Sequence, residues 1–312
     1  MDSLNSNNGR KRRENEKKTI VALELRLNYP LNKILKVLQL AKSSYFYCLN
    51  KLSSKDKDFE LKVLIKEIYH KNKERYGYRR IQIVLENQGV HINHKKLQRL
   101  MYEMHLQGKM VRKAKHSSYK GDMNGTVSNK LLDEIDNKPV RNFKTTSINQ
   151  KWVTDVTEFK IASGKLYLSP VMDIHTNEII SYKVSKNPDL KQTLDMMQDA
   201  INKFDNLKGL IMHSDQGWQY QHYAFHKILE EHGIIQSMSR KGNCLDNCRM
   251  ENFFGKMKIE MFYGKENEFK TLEELEKAIN EYIDYYNNER ISIKLKGLTP
   301  VEYRNQTLQI QY

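Results

Sequence analysis

The stretch Lys151-Trp-Val-Thr-Asp-Val-Thr-Glu-Phe159 reads as a β-strand with an acid in its middle. Val153, Val156 and Thr157 flank Asp155, and β-branched residues favour strands. A charge among such neighbours is costly unless it is paired or coordinates something. Leu210-Ile-Met-His-Ser-Asp-Gln-Gly217 repeats the theme: a buried-type strand ends on Asp215, just before a glycine. A third acid, Glu251, lies in the helical stretch Leu245-Asp-Asn-Cys-Arg-Met-Glu-Asn-Phe-Phe-Gly-Lys-Met-Lys258. Fifty-nine residues separate the first two acids and thirty-five the second and third.

Three carboxylates brought together repel unless cations neutralise them. Mg²⁺ favours carboxylate oxygens, and a two-metal site is the arrangement that cuts and joins phosphodiesters. Helical phase selects Glu251 among the nearby acids. Lys258, seven residues on, returns to within about 20° of the same direction, whereas Glu260 faces nearly opposite and Asp246 points away. Asp173 on the next strand is the main competitor and is expected in a supporting role. His213 is expected either to orient Asp215, to touch DNA or to pack. Cys244 and Cys248 lack the accompanying ligands of a zinc site. His222 and His226 lack the glutamate of a metalloprotease helix.

Charge divides the 312-residue chain. The first 150 residues hold 32 Lys and Arg against 15 Asp and Glu; the other 162 hold 21 against 23, for a net charge of +15. Such asymmetry points to a polyanion-binding front half joined to a differently tasked domain. The three cysteines and the lack of an apolar leader suit a reducing cytosol. No apolar run is long enough to span a membrane.

Along the chain, residues 1–18 are polar and are expected to form a disordered basic arm. Residues 19–55 read as a helix-turn-helix-like segment, with Ser43 or Ser44 capping its second helix. A helical DNA-binding domain is expected over 56–108. There Asn93 caps a helix that sets Leu97, Leu100 and Met101 on one face and Lys95, Lys96 and Arg99 on the other. Residues 109–148 read as a linker with a short helix at Lys130–Asp136. A catalytic core is expected over 149–265, and a C-terminal helix and tail over 266–312. The order in the core is βββαβαβα, which is that of the ribonuclease H fold. The fold class expected is thus an α/β ribonuclease H-like core, with a mixed five-stranded sheet, behind an all-α helix-turn-helix-type DNA-binding region.

Trp152–Phe159, His213-Ser-Asp-Gln-Gly217 and Ser237-Met-Ser-Arg-Lys-Gly-Asn-Cys244, followed by Asp246-Asn247 and Glu251-Asn-Phe-Phe254, resemble the catalytic (OrfB-type) DDE transposases of bacterial insertion sequences, whose core is similar to retroviral integrases. Tyr76-Gly-Tyr-Arg-Arg80, Tyr285-Tyr-Asn-Asn-Glu-Arg290 and Gly297-Leu-Thr-Pro300 resemble the same family. Leu245 stands where members often have Trp, and Cys248 where Ala is usual.

The resemblance implies that Asp155, Asp215 and Glu251 are the catalytic, metal-binding triad. It implies two Mg²⁺ ions, with Mn²⁺ as a substitute, and Lys258 as a DNA contact. Arg240, Lys241, Arg79 and Arg80 join Lys95, Lys96 and Arg99 as expected DNA-binding residues. The expected partners are the element's terminal inverted repeats, target DNA, a second copy to make at least a dimer, and an upstream helix-turn-helix protein, either separate or joined by a frameshift. No membrane partner is expected, and the location is cytoplasmic, at the nucleoid. A tyrosine recombinase is disfavoured because no Arg-His-Arg framework accompanies a tail tyrosine. A DNA-binding regulator with an assembly-only core, and a ribonuclease acting on RNA–DNA hybrids, are the other readings.

Overall fold

Asp155 interrupts the strand that carries it. In the computed structural model, which describes residues 2–26, 29–106 and 126–310, the strand expected around Asp155 becomes two: β3 (Lys151–Thr154) and β4 (Thr157–Ile161). Both pair antiparallel with β5 (Gly164–Asp173). Trp152 faces Asp173, Thr154 faces Val171, Thr157 faces Leu168 and Ile161 faces Gly164, so the register is the same on both sides of the gap. The Val156 N–H donates to Asp155 Oδ1 at 2.8 Å. Such side-chain-to-backbone bonding competes with ladder pairing.

On its other edge β5 pairs with β6 (Ile179–Ser185). β3 pairs parallel with β7 (Ile211–Ser214), and β7 pairs parallel with β8 (Ile235–Met238). Counting β3 and β4 as one interrupted strand gives the expected mixed five-stranded sheet.

Alternation along β3 feeds two cores. Trp152 joins Val171, Met212 and the inner faces of α7 (Leu190–Ile201) and α9 (Tyr223–Glu231). Val153 joins Leu168 and Met172 on the opposite face, beneath α10 (Cys248–Met257) and α11 (Leu272–Asn288). The C-terminal segment is therefore part of the core's packing, not a separate tail. Asn287 makes two bonds to the Ile179 backbone, one as acceptor and one as donor. Glu260 sits in a π-helical turn, Lys258–Phe262, that continues α10. Its carboxylate takes Tyr282 Oη at 2.9 Å and Arg290 Nε at 2.8 Å, with Arg290 only 4% exposed. α12 (Pro300–Ile310) starts with a reciprocal cap between Thr299 and Glu302. It sends Arg304 to Asp173 and Glu178 at the β5–β6 turn. Asp173 is thus a buried structural acid, held by Arg304 and the N–H groups of Asn149 and His175.

Two expectations for the connecting regions change. Lys130–Asp136 is not a helix: β1 (Leu132–Ile135) and β2 (Lys138–Arg141) form a two-residue hairpin. Asp136 and Asn137 both take positive φ, as that turn demands, and Asp and Asn tolerate it best among non-glycines. The segment after residue 125 packs within the core unit, since Leu131 is buried there. The basic stretch Lys109, Arg112, Lys113 and Lys115 lies outside the described residues. Residues 1–109 and 110–312 form two compact units.

In the first unit α1 (Asp2–Leu25) is helical where a disordered arm was expected over 1–18. Glu16 pairs with Lys51, and Ala22 and Leu23 bury against Ile34, Leu35, Leu40 and Tyr45. That tertiary contact supplies what the polar sequence lacks. α2 (Leu31–Val37) and α3 (Lys42–Lys55) make the expected helix pair. Its second helix starts at Ala41 without a side-chain cap, leaving Ser43 and Ser44 inside the first turn. α4 (Phe59–Lys71), α5 (Tyr78–Asn87) and α6 (His94–Glu103) follow, and Asn93 caps α6 through the Lys95 N–H at 2.8 Å. Among the described residues no helix is long and apolar enough to cross a membrane.

Replacing Arg290 by Leu would leave the Glu260 carboxylate buried without its cation, and should cost about 3–5 kcal/mol of stability. Urea unfolding followed by circular dichroism would check this; a loss below about 1 kcal/mol would mean the pair is not what holds this turn.

Candidate active site

Strand register brings the first two acids together. Lys151 faces Ile211 and Val153 faces His213 across the parallel pair β3–β7. Continued by two residues, the same register sets Asp155 level with Asp215, just past the carboxyl ends of neighbouring strands about 4.8 Å apart. Both side chains are half-buried. Burial, and then the neighbouring Asp215 charge, push the Asp155 carboxyl well above the usual carboxylate range; the Val156 N–H and Lys258 pull the other way. Burial likewise raises Asp215, against the Gly217 N–H that donates to its Oδ1 at 2.9 Å. Two acids held so close, at an energetic cost to their charged forms, are a donor set suited to a hard divalent cation.

Gly217 is required for space, not for an unusual φ. Its backbone sits at φ −58°, ψ 143°. A Cβ there would meet Gln219 Nε2 at 2.7 Å and Asp215 Oδ1 at 2.9 Å. The glycine therefore leaves room for the carboxylate itself. Beneath the pair Tyr220 is fully buried, with its hydroxyl 3.3 Å from Thr154 Oγ1, and burial together with the two acids raises its pKa. His213 is fully buried. It lies between β7 and β8, bridging Ser237 Oγ at 2.8 Å and Ser239 Oγ at 3.1 Å, and burial depresses its pKa to about 4.

The third acid is placed differently. Glu251 is exposed on the first turn of α10, within electrostatic reach of Asp155. Among the described residues no three His, Cys, Asp or Glu side chains lie close enough to hold a metal ion together. The chemistry of the Asp155 and Asp215 carboxylates suits a hard divalent cation, and Glu251 is the acid on α10 whose charge Asp155 senses. Lys258 is half-buried, its ammonium 5.2 Å from the centre of the Phe159 ring. Burial lowers its pKa, while Glu158 and Asp155 raise it.

The entry to α10 is tied down by residues that sequence reasoning passed over. Asp246 was set aside as pointing away from Glu251. It is instead a fully buried carboxylate that accepts from Arg240 Nε at 2.9 Å, Arg141 Nε at 2.7 Å and Asn129 Nδ2 at 3.0 Å. Those charge-assisted bonds outweigh its burial and depress its pKa. Asn247, next in the chain, donates from Nδ2 to the Thr154 carbonyl at 3.0 Å. The only sequence signal for either was the Asp-Asn dipeptide itself.

The expected DNA-contact residues separate in the same way. Arg240 is occupied by Asp246, while Lys241 beside it is exposed. On α6, Lys96 pairs with Asp58 at 2.6 Å, and Arg99 with both Asp58 and Glu103. Lys95 is exposed and makes no ion pair among the described residues. Arg79 is exposed and lies over the Tyr78 ring, and Arg80 packs over Tyr76.

A sheet of this topology with paired acids at the carboxyl ends of its central strands defines an integrase-type catalytic core. Residues 146–244 and 251–308 match two integrase core domain families, and residues 55–114 match an HTH-like domain. The chain is 48% identical over 284 residues to InsK of insertion sequence element IS150 from Escherichia coli (strain K12), covering 91% of this chain and 96% of that one. It is 52% identical over 219 residues to a transposase-like protein of Haemophilus influenzae (70% and 96% covered). It is 35% identical over 241 residues to the transposase of IS904 from Lactococcus lactis (77% and 91% covered). The magnesium-bound catalytic core of HTLV-2 integrase overlays on 51% of this chain and 97% of its own, at 20% identity and a TM-score of 0.41, too loose a match to add to the assignment. The chain belongs to the insertion-sequence transposases built on an integrase core domain, and it acts on DNA.

Gly217→Ala should displace the Asp215 carboxylate and cut nicking of an element end by about 10²-fold. Thermal unfolding should barely move. Wild-type nicking would sink this account of the glycine.

Proposed function

We propose that this transposase cleaves the ends of its element and joins the freed 3′-OH to target DNA, using Asp155, Asp215 and Glu251 as one catalytic triad. The observation that carries the reading is the register of β3 on β7, which sets two carboxylates side by side where only cations would make them comfortable. Two Mg²⁺ ions, or Mn²⁺ in their place, would be held by Asp155, Asp215 and Glu251. When bound they would supply charge neutralisation at the scissile phosphate and a more acidic water.

The protein's own part is positioning. Asp155 and Asp215 would act from just beyond the ends of β3 and β7, and Glu251 would approach from α10. Lys258, seven residues beyond Glu251 and within electrostatic reach of Asp155, would pair with a phosphate oxygen. Cleavage and joining are both in-line transfers at phosphorus, with water the nucleophile in the first and the 3′-OH in the second. Positioning and electrostatics dominate such steps.

In the first unit, the basic face of α6 and the Arg79 side of α5 would meet the terminal inverted repeats, with Lys95 and Arg79 the most available cations. Lys241 would follow the DNA toward the core. Handling two ends calls for at least a dimer. An upstream helix-turn-helix protein, separate or joined by a frameshift, would add to end recognition. The site of action would be the nucleoid in the cytoplasm.

Asp155→Asn should lower Mg²⁺-dependent end cleavage by at least about 10³-fold while binding to the end is kept or tightened, since a negative charge near phosphate is removed. A nicking gel beside a mobility-shift assay reads both; cleavage at the wild-type rate would end the assignment. Lys95→Ala should weaken binding uniformly across sequences and lower the salt slope by about 1. Fluorescence anisotropy at several salt concentrations checks this, and an unchanged slope would remove Lys95 from the interface.

A further inference from the structure

The way α10 begins carries an inference beyond the triad itself. Asn247 occupies the N-cap position of α10, where an asparagine ordinarily accepts a bond from its own helix. Here it makes no such cap. Its side chain turns across to β3 instead and donates from Nδ2 to the carbonyl of Thr154, the residue before Asp155, at 3.0 Å. Asn247 is 3% exposed, and its Oδ1 is buried without a hydrogen-bond partner among the described residues.

A fold-stabilising asparagine would satisfy both ends of its amide and cap its helix. This one forgoes the cap and leaves an acceptor unsatisfied, a cost that needs a reason. Its neighbour Asp246 is anchored just as firmly. Arg240 at the exit of β8 and Arg141 and Asn129 beside the β1–β2 hairpin converge on its carboxylate, while the Lys130 N–H bonds Ser237 of β8 at 2.8 Å. Asp246 therefore fixes the connection leading into α10. Asn247 then fixes the first turn of α10 against the strand end that carries Asp155. Glu251 stands four residues further, one helical turn along.

We propose that Asn247 is a positioning residue for the third carboxylate: its bond to Thr154 sets how closely Glu251 can approach Asp155 and Asp215 to complete the metal-binding set. The proposal rests on the reading of those three acids given above. Asp246 supplies the rigid base, and Asn247 sets the register of helix on strand. Glu251 is exposed and off any preformed three-ligand cluster, so its approach depends on where the helix as a whole is held. The bond at Thr154 is the tie closest to the reacting groups.

The test compares wild type with Asn247→Ala, which removes the donor, and Asn247→Asp, which keeps the shape but sets an acceptor against the Thr154 carbonyl. Both are assayed as full chains, with Asp155→Asn alongside. The Mg²⁺ concentration for half-maximal nicking should rise by at least about tenfold in both variants, the cost typical of losing a group that orients a metal ligand. kcat should fall while KM for the DNA end stays put. Calorimetric titration of the DNA-free protein with Mg²⁺ alone should show the same weakening, and thermal unfolding should show both variants folded.

If Asp155→Asn abolishes nicking but the Asn247 variants keep a wild-type Mg²⁺ response, the inference about Asn247 is overturned and the triad stands. Failure of both Asn247 variants to fold would also overturn it, making Asn247 a residue of stability alone. If Asp155→Asn leaves nicking and Mg²⁺ binding intact, the reading of the site is what fails.

Discussion

The repulsion between Asp155 and Asp215 is the constraint around which the catalytic unit is built. Both follow directly on the carboxyl ends of adjacent parallel strands, whose register sets their backbones level. Burial and proximity both oppose their charged forms. A fold selected for stability alone would place apolar or paired groups there. The molecule instead surrounds the pair with rigid support: Gly217 clears space for one carboxylate, Tyr220 and Thr154 fill the floor, and His213 pins β7 to β8 through two serines.

The contrast with the other buried charges sharpens the point. Asp173, Asp246 and Glu260 are each met by an arginine at hydrogen-bond distance. They tie separate segments together: Arg304 to β5, Arg290 to the turn after α10, and Arg141, with Arg240 close by in sequence, to the entry of α10. Buried charge is tolerated in this protein where it is paired, and the paired examples do structural work. Among the described residues no arginine pairs with Asp155 or Asp215, which lie at the carboxyl ends of the central strands.

The N-terminal unit solves a different problem. Its surplus of positive charge is partly spent within the unit, since Lys62, Lys96 and Arg99 form a network with Asp56, Asp58 and Glu103. The network ties α6 to the start of α4 and leaves only some cations for a partner. Net charge reports that a polyanion is attracted; it does not report which lysines are available to meet it.

The amino-acid sequence by itself determined the element order, the strand acids and the helix carrying Glu251, because alternation and helical phase are local properties written into neighbouring residues. It also marked the C-terminal Tyr-Tyr-Asn-Asn-Glu-Arg run without disclosing its job, since Arg290 finds Glu260 thirty residues away. Tertiary structure alone decided that residues 14–25 fold against α2 and α3, that Leu132–Arg141 is a hairpin, and that Arg141 meets Asp246. It decided too that Asn247 reaches Thr154 across ninety-three residues of chain. Such pairings depend on which surfaces the packed sheet and helices bring face to face, and no window of neighbouring residues contains that information.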